Sequence, residues 1–329
     1  MEILNLGIVT IGLLVGFGLV IGILFGFFGM GGSFLVTPAL LVAGYPATVA
    51  VGSGLAFVFG TSVIGALRHR DHDQVCYKLA AVMILGMTVG IEVGKRIVFL
   101  LEELSSADFA ISVGYVGLLG AVGVFVLWDV RTDDTHTRPI EIATEVGPLE
   151  FSPVLSLPGG ATVPVWSILV TGLGIGIVSG CLGVGGGFLL LPVLIYGFGV
   201  PAGIAAGTSI VQIMVSSAYG TFVYALSNAV NVPVVAALLG GSALGARIGT
   251  GATQLVHEAD SKGYFAAVLL AGSIATASKQ VSTTYGIEAL DTVSAVLIFG
   301  TACLVSGAII FASVETLTKN RERRSPLTH

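Results

Sequence analysis

Charge is what this chain has least of. Of 329 residues, 14 are Lys or Arg and 19 are Asp or Glu, 10% in all, where a soluble domain carries about 25%. No charged residue or histidine occurs from Ile3 to Leu67, nor from Phe151 to Ala246. Runs of that length exclude an ordinary hydrated fold, because about 20 apolar residues already suffice for one bilayer crossing. They do not alternate apolar with polar residues, which excludes barrel strands. Cysteine is nearly as scarce. Cys76, Cys181 and Cys303 lie far apart, which excludes a disulfide framework and a cysteine metal site. No Ser/His/Asp set, carboxylate pair or metal cluster falls within one segment, so neither an enzyme nor a cofactor is expected. The net charge of -5 is too small to imply a nucleic-acid partner. The N-terminus lacks the basic region of a cleavable signal.

What is abundant is apolar residues, 54% of the chain, and glycine, with 47 residues. The glycines are ordered. Gly18-x3-Gly22-x3-Gly26-x2-Gly29-Met30-Gly31-Gly32-Ser33, with Pro38 beyond, is written again as Gly172-x3-Gly176-x3-Gly180-x2-Gly183-Val184-Gly185-Gly186-Gly187, with Pro192. After a one-residue shift Pro46 matches Pro201, Gly52 matches Gly207, and Ser53 matches Thr208. Gly86-x3-Gly90-x3-Gly94 then matches Gly241-x3-Gly245-x3-Gly249. This is an internal duplication. The fold expected is an all-α polytopic membrane protein of two inverted repeats with glycine-broken helices, plus one extra C-terminal helix. Its parts are repeat one (1–128), a cytoplasmic linker (129–163), repeat two (164–282), the extra helix (289–314) and a basic cytoplasmic tail (315–329).

Within each repeat the segment after the glycine run, about 33–43 or 187–198, is short for a crossing. We read it as a half-penetrating helix returning beside its predecessor. Three crossings then remain, and the second repeat is inverted. With the 68–73 loop inside, Arg68, Arg70, Lys78, Arg131, Arg138, Lys262, Lys319, Arg321, Arg323 and Arg324 are inside, and Lys95, Arg96 and Lys279 outside. Basic residues favour cytoplasmic loops, so this topology, with its C-terminus in the cytoplasm, is preferred over one in which the two segments make a single crossing. The linker reads either as a tether or as a small hairpin turning at Pro158-Gly159-Gly160.

Duplicated, interrupted helices point to a transporter and its midplane site. The Gly-x-Gly-Gly runs follow no strand, so they are not nucleotide loops. Broken backbone inside a membrane is tolerated only in protein or around a watery cavity, and a helix start favours an anion. Candidate substrate residues are therefore Gly29, Gly31, Gly32 and Ser33 in the first break and Gly183, Gly185, Gly186 and Gly187 in the second. The competing reading is that these glycines serve helix packing. In the third segment Thr208, Gln212 and Ser216 share one helix face, with Ser209 beside them and Ser53 as the repeat-one counterpart. Glu92 and Arg247 occupy one repeat position and are expected either to pair within the membrane or to reach separate interfaces.

The two Gly-x2-Gly-x-Gly-Gly runs with their prolines, and the segment Gly241 through Arg247, resemble the sulfite exporter TauE/SafE family of membrane permeases. The resemblance covers most of the chain and implies a cell-membrane transporter of sulfite, a sulfonate or a related sulfur-containing anion. The long central linker and the extra helix depart from the family. The expected function is secondary transport of a small anion. The alternative is a membrane scaffold acting through its linker.

Overall fold

In lipid, backbone N–H and C=O groups must find partners within the chain, so long apolar runs become helices. The computed structural model of the protein describes residues 7–28, 33–68, 75–131, 154–157, 162–253, 255 and 258–324. Helix α1 spans Ile8–Phe28, and α2 spans Val36–Val42 after a 3-10 turn at Ser33–Leu35. Next come α3 (Ala47–Arg68), α4 (Tyr77–Glu103) and α5 (Ala107–Arg131). Strands β1 (Val154–Ser156) and β2 (Thr162–Pro164) pair antiparallel with Leu155 opposite Val163. The second half continues with α6 (Val165–Leu182), α7 (Gly187–Pro192, extended by a π turn at Val193–Gly197), α8 (Ala202–Ala225), α9 (Val232–Thr253) and α10 (Glu258–Tyr285). Helix α11 (Glu288–Ala295) runs through a π turn into α12 (Thr301–Arg324). Among the described residues, seven helical segments are long and apolar enough to cross a membrane.

The chain forms two compact units, and they are not the two sequence repeats. One comprises residues 1–45, 112–134 and 236–329; the other comprises 46–111 and 135–235. The glycine ladders explain the difference, because each pairs the first helix of one repeat with the fourth helix of the other. In the second unit, a Cβ on Gly86, Gly90 or Gly94 of α4 would lie 2.4, 2.3 or 2.6 Å from the carbonyl oxygens of Leu169, Leu173 and Ile177 on α6. In the first unit, a Cβ on Gly241, Gly245 or Gly249 of α9 would lie 1.9, 2.0 or 2.1 Å from those of Val15, Leu19 and Ile23 on α1. Val15, Leu19 and Ile23 are the repeat counterparts of Leu169, Leu173 and Ile177, so the two interfaces match contact for contact. Only a hydrogen in place of Cβ permits such approach, the device by which small residues drive helix association in membranes.

Chain direction can be read from the same contacts. Numbers rise together along α4 and α6, so these helices are parallel. Helices α4 and α8 are parallel too: the Tyr219 hydroxyl meets Glu92, and Lys95 Nζ donates to the Val223 carbonyl at 2.7 Å. Helices α3 and α8 run in opposite directions, with Gly52 against Tyr224 and Ala229, and Leu55 against Gly220. In the first unit α5 and α10 also oppose, since Ser273 Oγ donates to Val116 O while Gly123 packs on Leu269 and Leu270. The hairpin buries Leu157 and Val163 in an apolar cluster with Leu79 of α4, Ile168 of α6, and Leu194 and Phe198 after α7. It sits where α4 and α6 begin.

Candidate functional site

The second break is built by three left-handed glycines. Helix α6 ends on Gly183 (φ +72°), and Gly185 (φ +68°) and Gly186 (φ +78°) turn the chain before Gly187 opens α7. Such φ values are nearly free for glycine and costly for other residues. Every residue from Leu182 to Phe188 is buried. A Cβ on Gly185 would come within 2.4 Å of Val58 Cγ1 on α3, and one on Gly186 within 2.8 Å of Ile175 Cγ2 on α6. The glycines therefore serve both the turn and the packing. Because α6 and α8 both run parallel to α4, the chain through α7 must return toward the start of α6 before α8 begins. In the first break Gly29, Gly31 and Gly32 lie outside the described residues, and Ser33 opens the turn before α2. Phe28 and Phe34, which flank it, both pack on the Phe265 ring at 5.0 and 5.6 Å between centroids.

Gln212 occupies the middle of α8. Its side chain is fully buried, and neither Nε2 nor Oε1 has a hydrogen-bond partner. Its neighbour Ile213 belongs to the apolar cluster with Val58, Met87 and Ile175, the side chains that enclose the break. A buried amide without partners costs about 1–3 kcal/mol per unsatisfied group, so this position is a place where a polar ligand or water is owed. The Ser179 hydroxyl, on α6 just before the break, is likewise buried and unpartnered. It escaped the sequence reading because one serine in an apolar helix most often bonds its own backbone.

The other hydroxyls of the stripe are engaged. Thr208 Oγ1 accepts from the Cys76 N–H at 3.0 Å, at the start of α4. Ser53 Oγ accepts from the Asn231 N–H at 3.0 Å, just ahead of α9. Ser53 matches Thr208, and Cys76 matches Asn231, in the repeat register. Each third helix thus caps the fourth helix of the other repeat, a reciprocity that sequence spacing alone does not reveal. Ser209 Oγ donates to Ala206 O at 2.9 Å, and Ser216 Oγ to Ile213 O at 3.3 Å, both within α8. Tyr224 Oη donates to Gly180 O at 2.7 Å, which ties α8 to α6.

Glu92 and Arg247 lie in different units. Glu92 pairs with Arg96 one turn along α4 at 3.2 Å and faces the Tyr219 hydroxyl. With Thr88, Val89 and Val93 these residues line an open cleft of about 360 Å³ on the α4–α8 surface. Arg247 is exposed on α9. Among the described residues no group of three or more His, Cys, Asp or Glu could hold a metal.

Helix α8 thus carries an unpartnered amide at its centre, and among the described residues no buried side chain is charged. Known proteins bear on what such a site serves. The chain is 27% identical over 236 residues to the probable membrane transporter protein YjnA of Bacillus subtilis, covering 71% of this chain and 86% of that one. It is 24% identical over 245 residues to YunE, a second probable membrane transporter protein of Bacillus subtilis, covering 72% and 86%. A probable membrane transporter protein of Xylella fastidiosa is 26% identical over 239 residues, covering 72% and 82%. No solved structure matches. The family model described as sulfite exporter TauE/SafE matches residues 14–276. The chain is a multi-pass membrane transporter and belongs to the sulfite exporter TauE/SafE family.

Proposed function

We propose that the protein is a secondary transporter, working as an exporter in the cell membrane, of a small sulfur-containing anion such as sulfite or an organosulfonate. The observation that carries this reading is the fully buried, unpartnered amide of Gln212 on α8, whose neighbour Ile213 shares an apolar cluster with the side chains packed on Gly185 and Gly186. The Nε2 hydrogens of Gln212 donate to an oxyanion oxygen, and the helix start at Gly187 adds the partial positive charge of a helix N-terminus. Thr208 holds the start of α4 and Ser53 holds Asn231, and Ser209 lies next to Thr208 on α8. The opposed courses of α3 and α8, and of α5 and α10, support inverted repeats. The C-terminus is then cytoplasmic. Glu92 and Arg247 stand as intramembrane charges at equivalent positions, with Glu92 supported by Arg96 rather than left isolated.

The test is a thermal-stability screen of purified protein with sulfite, sulfate, thiosulfate, taurine and sulfoacetate. At least one anion raises the melting temperature of the wild type, and Gln212→Leu abolishes that rise while remaining folded. If every anion leaves the melting temperature unchanged, the reading fails.

A further inference from the structure

The charge around Gln212 constrains its ligand more closely than the word anion does. Helices α3, α4 and α7 pack against α8. Helix α3 is uncharged from Ala47 to Leu67, α4 from Leu79 to Ile91, and α6, α7 and α8 throughout. The charged groups that α4 does carry are placed elsewhere. Lys78 is exposed at its start, Glu92 is paired with Arg96, Lys95 is bound to Val223 O, and Glu102 accepts from Thr48; Glu103 is exposed at its end. The ionisable tyrosines on these elements are Tyr77, exposed at the start of α4, Tyr196 after α7, Tyr219 against Glu92, and Tyr224 on Gly180 O. Among the described residues no buried side chain is an Asp, Glu, Lys, Arg or His.

A site of this kind has dipoles and no full positive charge. The solvation cost of burying an ion grows as the square of its charge, so a dianion costs roughly four times as much to seat here as a monoanion. The amide adds a second constraint. Nε2 is a donor and Oε1 an acceptor, and both are unpartnered. A ligand that satisfies both presents an oxyanion oxygen and also a proton of its own. Resting on the transport reading above, we propose that the site selects singly charged oxyanions bearing an O–H or N–H donor, hydrogen sulfite being the simplest, and rejects dianions.

The experiment uses the purified full-length protein, with binding read by thermal shift across the second ionisation of sulfite, which lies near neutrality. The ligands are sulfite, methanesulfonate, sulfate and thiosulfate. Methanesulfonate is a monoanion throughout that range and reports any pH response of the protein itself. The apparent affinity for total sulfite falls at least tenfold as the hydrogen sulfite fraction falls tenfold, while that for methanesulfonate stays level and weaker. Sulfate and thiosulfate bind at least tenfold more weakly than hydrogen sulfite. Gln212→Met, which keeps the volume without donor or acceptor, lowers sulfite affinity to that of methanesulfonate. Equal affinity for sulfate and sulfite, a sulfite affinity that does not follow the protonated fraction, or an unaltered profile in Gln212→Met would each overturn the inference without touching the transport reading. Binding of none of the four anions would overturn both.

Discussion

At Gln212 the chain buries a primary amide and leaves it unsatisfied, in a helix whose Thr208, Ser209 and Ser216 hydroxyls are spent on its own carbonyls or on a neighbouring helix start. Removing a group that has no partner does not strand another one. Gln212→Leu is therefore predicted to melt at or above the wild-type temperature, the opposite of an ordinary core truncation, while losing anion stabilisation. A fall in melting temperature would mean that the amide has a structural partner. Gln212 was legible in the sequence because it is the one strongly polar residue in an apolar helix middle. The engagement of Thr208 and Ser53 was not, because a hydroxyl's choice between ligand, own backbone and a neighbouring N–H depends on which helix is packed beside it. Gly186→Val is a weak probe of ligand approach. Its φ of +78° and the Ile175 contact make loss of fold as well as loss of binding the expected result.

Between elements, the ladders and the reciprocal caps make paired predictions. Gly90→Ala and Gly245→Ala each place a methyl where a backbone carbonyl oxygen already lies, at 2.3 and 2.0 Å. Each is expected to cost about 1–3 kcal/mol of stability, as overpacking does. Gly16→Ala on α1, with no atom within 4 Å of the added carbon, is expected to be neutral or stabilising. Melting temperatures in one detergent check all three, and a loss in Gly16→Ala equal to that in Gly245→Ala would refute the packing account. Thr208→Val and Ser53→Ala each remove a cap from a fourth helix and are expected to cost about 1 kcal/mol apiece. The short segments expected after the glycine runs, about 33–43 and 187–198, are found as α2 (Val36–Val42) and as α7 (Gly187–Pro192) with its π turn at Val193–Gly197. That the ladders interlock across repeats was not legible. A Gly-x3-Gly face announces a close partner without naming it.

For the whole molecule, the duplication is evident in the sequence, whereas inversion of the second copy is a proposal argued from basic residues. Equivalent helices that oppose one another, α3 with α8 and α5 with α10, are what inversion requires. The hairpin lies at the start of α6, and Asn228 lies just past the end of α8. Inverted repeats with a returning α7 put these two points on opposite sides of the membrane; parallel repeats put them on the same side. Thr162→Cys and Asn228→Cys, both exposed, should label with an impermeant thiol reagent from opposite faces of sealed vesicles, against the background of the native cysteines. Labelling of both from one face would refute the inversion.

The central claim is that the amide beside the glycine break carries the anion, and transport itself tests it most directly. Wild-type and Gln212→Leu protein, purified and matched for folded content by melting curve, are reconstituted into liposomes loaded with unlabelled sulfite, and counterflow of radiolabelled sulfite is followed. The wild type should accumulate label above the rate of empty liposomes, and Gln212→Leu should fall to that rate. Wild-type liposomes indistinguishable from empty ones, or a Gln212→Leu protein that transports at the wild-type rate, would contradict the account.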